Sequence, residues 1–126
     1  MANELILIVE DNEKNRKLVR DILQFKGYQL LESETAEEGI RLAREKKPAL
    51  ILMDFHLPGM NGIEALARLR ADPGTTAIPV FAFTASVMPQ DRREITSAGF
   101  DGFLSKPIDL KEFLATISAT MAGKKP

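Results

Sequence analysis

Cysteine and tryptophan are absent from this 126-residue chain, and histidine and tyrosine occur once each. Without a thiol there is no disulfide framework, no thiolate metal site and no cysteine nucleophile. No stretch approaches the roughly 18 consecutive apolar residues of a membrane span, and the opening Met-Ala-Asn-Glu lacks the basic region and apolar run of a signal peptide. A soluble, cytoplasmic protein with no membrane insertion is the expectation. An excess of charge of one sign is missing too: 17 Lys and Arg stand against 18 Asp and Glu, a net charge of −1. No overall field therefore draws the chain to nucleic acid or an anionic membrane, and any charge effect must be local. What remains is a hydrophobic content of 44%, enough for a single core in one domain of this length.

The apolar residues fall into short continuous runs, which read as strands covered on both faces. Leu5 to Val9 runs into Glu10-Asp11-Asn12, and Leu50 to Met53 runs into Asp54. Between them, Asn12 is a plausible N-cap for a helix to Phe25, with Leu18, Val19, Ile22, Leu23 and Phe25 at helical spacing and Gly27 suited to the C-terminal cap. Its other face carries Lys14, Arg16, Lys17 and Arg20. Gln29 to Ser33 is a weaker strand candidate, and Thr35-Ala36-Glu37-Glu38 has the form of a capping box opening a helix to about Lys46.

After Gly62, the spacing of Ile63, Leu66 and Leu69 predicts a helix of about two turns closed by Asp72-Pro73-Gly74. A fourth strand is expected over Ile78–Thr84 and a fourth helix from Pro89 to about Ala98, poor in large apolar residues and expected to be the most mobile. Gly102 to Ser105 reads as a short fifth strand ending at Lys106-Pro107. A last helix begins at Asp109-Leu110, with Leu110, Phe113, Leu114, Ile117 and Met121 inward. The domain is expected over residues 1–122, with 123–126 a frayed tail.

Five alternations of strand and helix argue for a doubly wound parallel sheet with right-handed crossovers and helices on both faces. In such a sheet the C-terminal strand ends share one edge, so Glu10, Asp11, Asp54, Thr84 and Lys106 can converge. In the flavodoxin-like (βα)5 order 2-1-3-4-5, strands one and three are neighbours and their three carboxylates share a cleft. Carboxylates that close need balancing cations. Lys106 is one, and an oxygen-only donor set makes Mg²⁺ the expected metal. Residue by residue, a structural Asp54–Lys106 ion pair and simple helix capping by Glu10 and Asp11 explain the same composition. The convergence favours chemistry.

Val9-Glu10-Asp11-Asn12, Leu52-Met53-Asp54 with Leu57-Pro58-Gly59-Met60-Asn61-Gly62, Thr84-Ala85 and Lys106-Pro107 together resemble the receiver domain of two-component response regulators, CheY-like and of single-domain type, over nearly the full length. The resemblance implies that Asp54 accepts a phosphoryl group from a phosphohistidine on a sensor histidine kinase or histidine phosphotransferase. It also implies that Glu10, Asp11, Asp54 and the backbone carbonyl of His56 hold Mg²⁺, and that the Lys106-Pro107 peptide is cis. Thr84, Ala85 and Lys106 would contact phosphoryl oxygens, and Thr84 with Phe103 would form the switch.

His56 and Ser86 flank the implied phosphoryl position and are expected to set the autodephosphorylation rate. Glu10 stands where the family more often has Asp, with the charge kept. The protein would then be no conventional enzyme, although it would catalyse its own phosphorylation and dephosphorylation. It would act as a monomer or a phosphorylation-dependent dimer and signal to a protein target through the face of the fourth helix, fifth strand and fifth helix. The basic face of the first helix, Arg16 and Lys17 above all, is the expected docking site for the phosphodonor.

Other readings have recognisable signatures. A flavin or nucleotide binder would carry a Gly- or Ser/Thr-rich loop after the first strand, where Glu10-Asp11 stands. A haloacid-dehalogenase-type phosphatase would place Asp-x-Asp there. A receiver-like interaction module that is never phosphorylated would have lost Asp54, Lys106 or an acidic partner, and a receiver excised from a larger regulator would share every motif above.

Overall fold

In the computed structural model, which describes residues 4–55, 57, 59–60, 62–84, 89–105 and 110–123 (backbone alone at 84, 89–92, 105 and 121–123), ten elements alternate without interruption. They are β1 (Leu5–Val9), α1 (Glu13–Phe25), β2 (Gln29–Ser33), α2 (Ala36–Lys46), β3 (Leu50–Asp54), α3 (Gly62–Ala71), β4 (Val80–Thr84), α4 (Pro89–Ala98), β5 (Gly102–Ser105) and α5 (Leu110–Gly123). All pairings are parallel, and the order is β2-β1-β3-β4-β5, the flavodoxin-like arrangement expected from the alternation.

Side chains alternate across each strand, so the sheet feeds two cores. Ile6, Ile8, Leu50, Leu52 and Phe83 face α1 and α5, meeting Val19, Leu23, Phe113 and Ile117. Leu7, Val9, Ile51, Met53 and Ala82 face the other way, meeting Ile40, Ala43, Leu66, Leu69 and Ile95 from α2, α3 and α4. β1 and β3 are central and buried almost throughout, which is why they read as continuous apolar runs. β2 has a single neighbour, and the half-exposed pattern of an edge strand accounts for its weaker signal.

Local capping follows the sequence closely. The Asn12 side chain accepts from Asn15 N–H at 3.0 Å and Thr35 Oγ1 from Glu38 N–H at 3.2 Å. The reciprocal half of the expected capping box is absent in one respect: the Thr35 N–H goes to Ser33 Oγ at 3.3 Å, while Glu38 lies 3.8 Å from Arg41.

Other details depart from expectation. α3 has 10 residues, just under three turns rather than two. β4 begins at Val80, because the Ile78 N–H donates to Thr75 O, the Ile78 carbonyl accepts from Arg70, and Pro79 has no N–H to give to a ladder. Leu18 (46% exposed), Phe25 (86%) and Leu110 (54%) are not core residues. On α1 only Val19 and Leu23 are fully covered, so the apolar stripe is wider than the surface the sheet can bury. Among the described residues, no helix is long and apolar enough to cross a membrane.

Candidate metal and phosphoryl site

The register fixes which residues meet at the C-terminal edge. Val9 on β1 pairs with Met53 on β3, so Glu10 and Asp54 are the next positions on neighbouring strands. Asp54 pairs with Phe83, which places Thr84 one step further, and Thr84 pairs with Ser105, the residue before Lys106.

Glu10 is anchored through both its backbone and its side chain. Its N–H donates to Ser33 O at 2.9 Å, its carbonyl accepts from Arg16 Nη1 at 2.9 Å, and its Oε2 accepts from Asn12 N–H at 3.1 Å. Glu10 and Asp54 are 2% and 6% exposed, whereas Asp11 is open to solvent. One carboxylate oxygen from each of the three lies within 4.8 Å of the others. An octahedral Mg²⁺ with ligands at about 2.1 Å separates its oxygens by roughly 3 Å (cis) to 4.2 Å (trans). The cluster therefore needs only small side-chain adjustments to ligate such an ion, and its hard oxygen donors suit it.

The chain beyond Asp54 is anchored by apolar side chains. Leu57 and Met60 are buried in the core against α2 and α3, and Gly59 takes φ 79°, a left-handed conformation suited to glycine. Gly62 opens α3 against the strand end: a Cβ there would lie 3.2 Å from Phe55 Cα and 3.3 Å from Asp54 O. This close approach seats α3 directly beside the candidate nucleophile.

Phe103 is half-buried against the α3–α4 core and pairs in register with Ala82, two residues before Thr84. His56, Ala85, Ser86, Lys106 and the Lys106-Pro107 peptide lie outside the described residues, as does the side chain of Thr84. The structure thus unites Glu10, Asp11 and Asp54 and sets the Thr84 backbone beside them.

The model of the response regulator receiver domain family matches residues 6–118. This chain belongs to that family. Among curated proteins the receiver is 41% identical over 114 residues to the polar-differentiation response regulator DivK of Brucella anthropi, covering 90% of this chain and 93% of that one, and DivK of Brucella ovis matches to the same extent. Among solved structures it is similar to the receiver domain of a sensor histidine kinase from Pseudomonas aeruginosa, at a TM-score of 0.88 and 29% identity over 96% of this chain and 99% of that one. That structure has a magnesium ion coordinated in its active-site cleft. The chemotaxis response regulator of Vibrio cholerae shares the fold, with a TM-score of 0.87 and 24% identity over 94% of this chain and 99% of that one.

Sequence reasoning about the receiver missed the supports of its acidic loop. Arg16, read as a docking residue, has a side chain only 13% exposed, and its Nε lies 3.3 Å from Glu32 Oε1 on β2. A charge reversal there would disturb the loop itself, so it is no clean probe of docking. Lys17, 64% exposed and paired with Asp21 at 2.7 Å, does lie on the surface. The one available signal for Arg16 was its position a turn after the N-cap, where a long side chain leans back toward the helix start.

Proposed function

We propose that this chain is a single-domain response regulator, with residues 1–122 as the receiver, that accepts a phosphoryl group on Asp54 from a histidine kinase or histidine phosphotransferase. The observation that carries the reading is the convergence of the Glu10, Asp11 and Asp54 oxygens at the C-terminal edge of the sheet in a member of the receiver family. Coverage of 93% of DivK, a polar-differentiation response regulator, supports signalling through protein contacts.

In the transfer, an Asp54 carboxylate oxygen forms a bond to phosphorus as the P–N bond of phosphohistidine breaks, and the imidazole leaves with the electron pair. A carboxylate is a weak nucleophile toward an anionic group, so the equatorial oxygens must be neutralised. Glu10, Asp11, Asp54 and the His56 carbonyl would hold Mg²⁺, which would supply part of that charge when bound. Lys106 supplies the rest, and the Thr84 hydroxyl and Ala85 N–H donate to the remaining oxygens.

The product adds about −1.5 to −2 charge units beside Thr84. Thr84 moves toward the new acceptors, and the half-buried Phe103 ring follows into the space left behind. That rearrangement would reach a downstream protein through the α4-β5-α5 face, in a cytoplasmic protein that is monomeric or dimerises on phosphorylation. His56 and Ser86 set how long the acyl phosphate lasts. The deciding experiment is incubation with Mg²⁺ and acetyl phosphate, reading intact mass. A single acid-stable, base-labile phosphoryl adduct is expected on the wild type and none on Asp54→Asn. An unmodified wild type, or an equal adduct on the variant, would defeat the proposal.

A further inference from the structure

We propose that Arg16 is a positioning residue for the cation-binding loop, fixing the peptide that links Glu10 to Asp11. The inference rests on the reading of Glu10, Asp11 and Asp54 as the metal site. Two successive residues send one buried and one exposed carboxylate toward the same point, so the backbone that links them helps set where the two groups meet. The carbonyl of that peptide accepts the Arg16 Nη1 bond at 2.9 Å.

Arg16 is itself held in place. Its Nε lies 3.3 Å from Glu32 Oε1, and that oxygen also takes Arg20 Nη1 at 2.9 Å, while Glu34 Oε1 stands 3.8 Å from Arg16 Nη1. β2 thus sets the guanidinium and the guanidinium sets the loop. Unlike the backbone bonds that Glu10 makes with Ser33 and Asn12, this one is removed by a single substitution that leaves the acidic cluster and the N-cap unaltered.

A cation beside a metal site could instead act by charge, and the two roles predict opposite signs. Bare positive charge opposes Mg²⁺, so a neutral replacement would tighten binding. Glu32 and Glu34 offset the charges of Arg16 and Arg20 together, two of each sign, which leaves position as the larger effect, and a neutral replacement then weakens binding. Lysine separates the cases further: it keeps the charge but loses the planar fork that meets the Glu10 carbonyl with one nitrogen and faces Glu32 with another.

The test is Mg²⁺ titration of the full chain, followed by backbone-amide NMR shifts, for wild type, Arg16→Met, Arg16→Lys and Glu32→Gln. Thermal unfolding in EDTA establishes that each variant is folded. Both Arg16 variants should bind Mg²⁺ about tenfold more weakly, the low end for residues that support metal ligands, and Glu32→Gln should shift the same way by about threefold. The Mg²⁺ concentration for half-maximal phosphorylation by acetyl phosphate should rise in parallel, with the rate at saturating Mg²⁺ within about twofold of wild type, since the chemistry is untouched. Unchanged or tighter binding by Arg16→Met, with a wild type that binds normally, overturns the proposal alone. A wild type without any Mg²⁺ response overturns it together with the reading of the site. Should Arg16→Met not fold, Glu32→Gln decides, and unchanged affinity there counts against the proposal.

Discussion

Gly39 lies in α2 directly over β1, and a Cβ added there would sit 2.7 Å from Val9 Cγ2 and 3.3 Å from Cγ1. Carbon atoms pack best at about 3.5–4 Å, so the nearer contact is roughly 1 Å too close. Val9 is fully buried and cannot swing aside. For a helix interior, Gly39→Ala on propensity alone should stabilise by about 1 kcal/mol. Overpacking a core of this kind costs about 1–3 kcal/mol, so the variant should come out destabilised by roughly 1 kcal/mol, opposite in sign to the propensity effect.

The companion change Val9→Ala removes the obstructing methyls and costs about 2 kcal/mol by itself. In the double variant the new Cβ enters the vacated space, so a favourable coupling of about 1–2 kcal/mol is expected. Urea denaturation of wild type, the two single variants and the double variant closes the cycle. A Gly39→Ala protein as stable as wild type, or a coupling near zero, would show that α2 is free to move away from β1 and that the close seating is not a constraint.

Arg70 donates from Nη1 to Thr76 O at 2.9 Å and Ile78 O at 2.7 Å, and from Nη2 to Asp101 Oδ2 at 2.8 Å, while that carboxylate oxygen also accepts Val80 N–H at 2.8 Å. Allowing for partial exposure, Arg70→Ala should cost about 2 kcal/mol, with hydrogen exchange accelerated at Val80 and Asp101 before β1. A loss under about 0.5 kcal/mol would refute the clamp. The N–H of Gly74, with Arg44 beside it, holds the Asp72 carboxyl below its ordinary value of 3.8. A depressed folded value means stability present above that pH and lost as pH falls through the folded value, so the melting temperature of Asp72→Asn should fall less steeply than wild type below about pH 4; parallel acid limbs would argue against it. Phe25→Ser should change stability by no more than about 0.5 kcal/mol, whereas Leu23→Ala, on the covered side of the same helix, should cost about 2–5 kcal/mol by denaturant titration. Equal losses would mean that Phe25 is packed after all.

Much of this receiver was legible in its sequence because buried parallel strands are written as unbroken apolar runs and because Asn12, Thr35 and Pro89 mark helix starts locally. The carboxylates of the site were legible for the same reason: each stands where such a run ends. What local pattern could not decide was coverage. Leu18, Val19, Ile22, Leu23 and Phe25 share a helical spacing, and only the width of the surface beneath α1 separates Leu23 from Phe25. Ile78 is as apolar as Val80, but Thr75 and Arg70 occupy its backbone groups, and those partners come from the end of α3 and the turn after it.

Arg16 is the sharpest case. By itself it is a positive charge on a basic helix face, indistinguishable from Lys17. The sheet order places β1 between β2 and β3, so the loop after β1 has Glu32 on one flank and Asp54 on the other. That adjacency comes from strands far apart in the chain, and it turns a surface charge into a strut for the acidic loop.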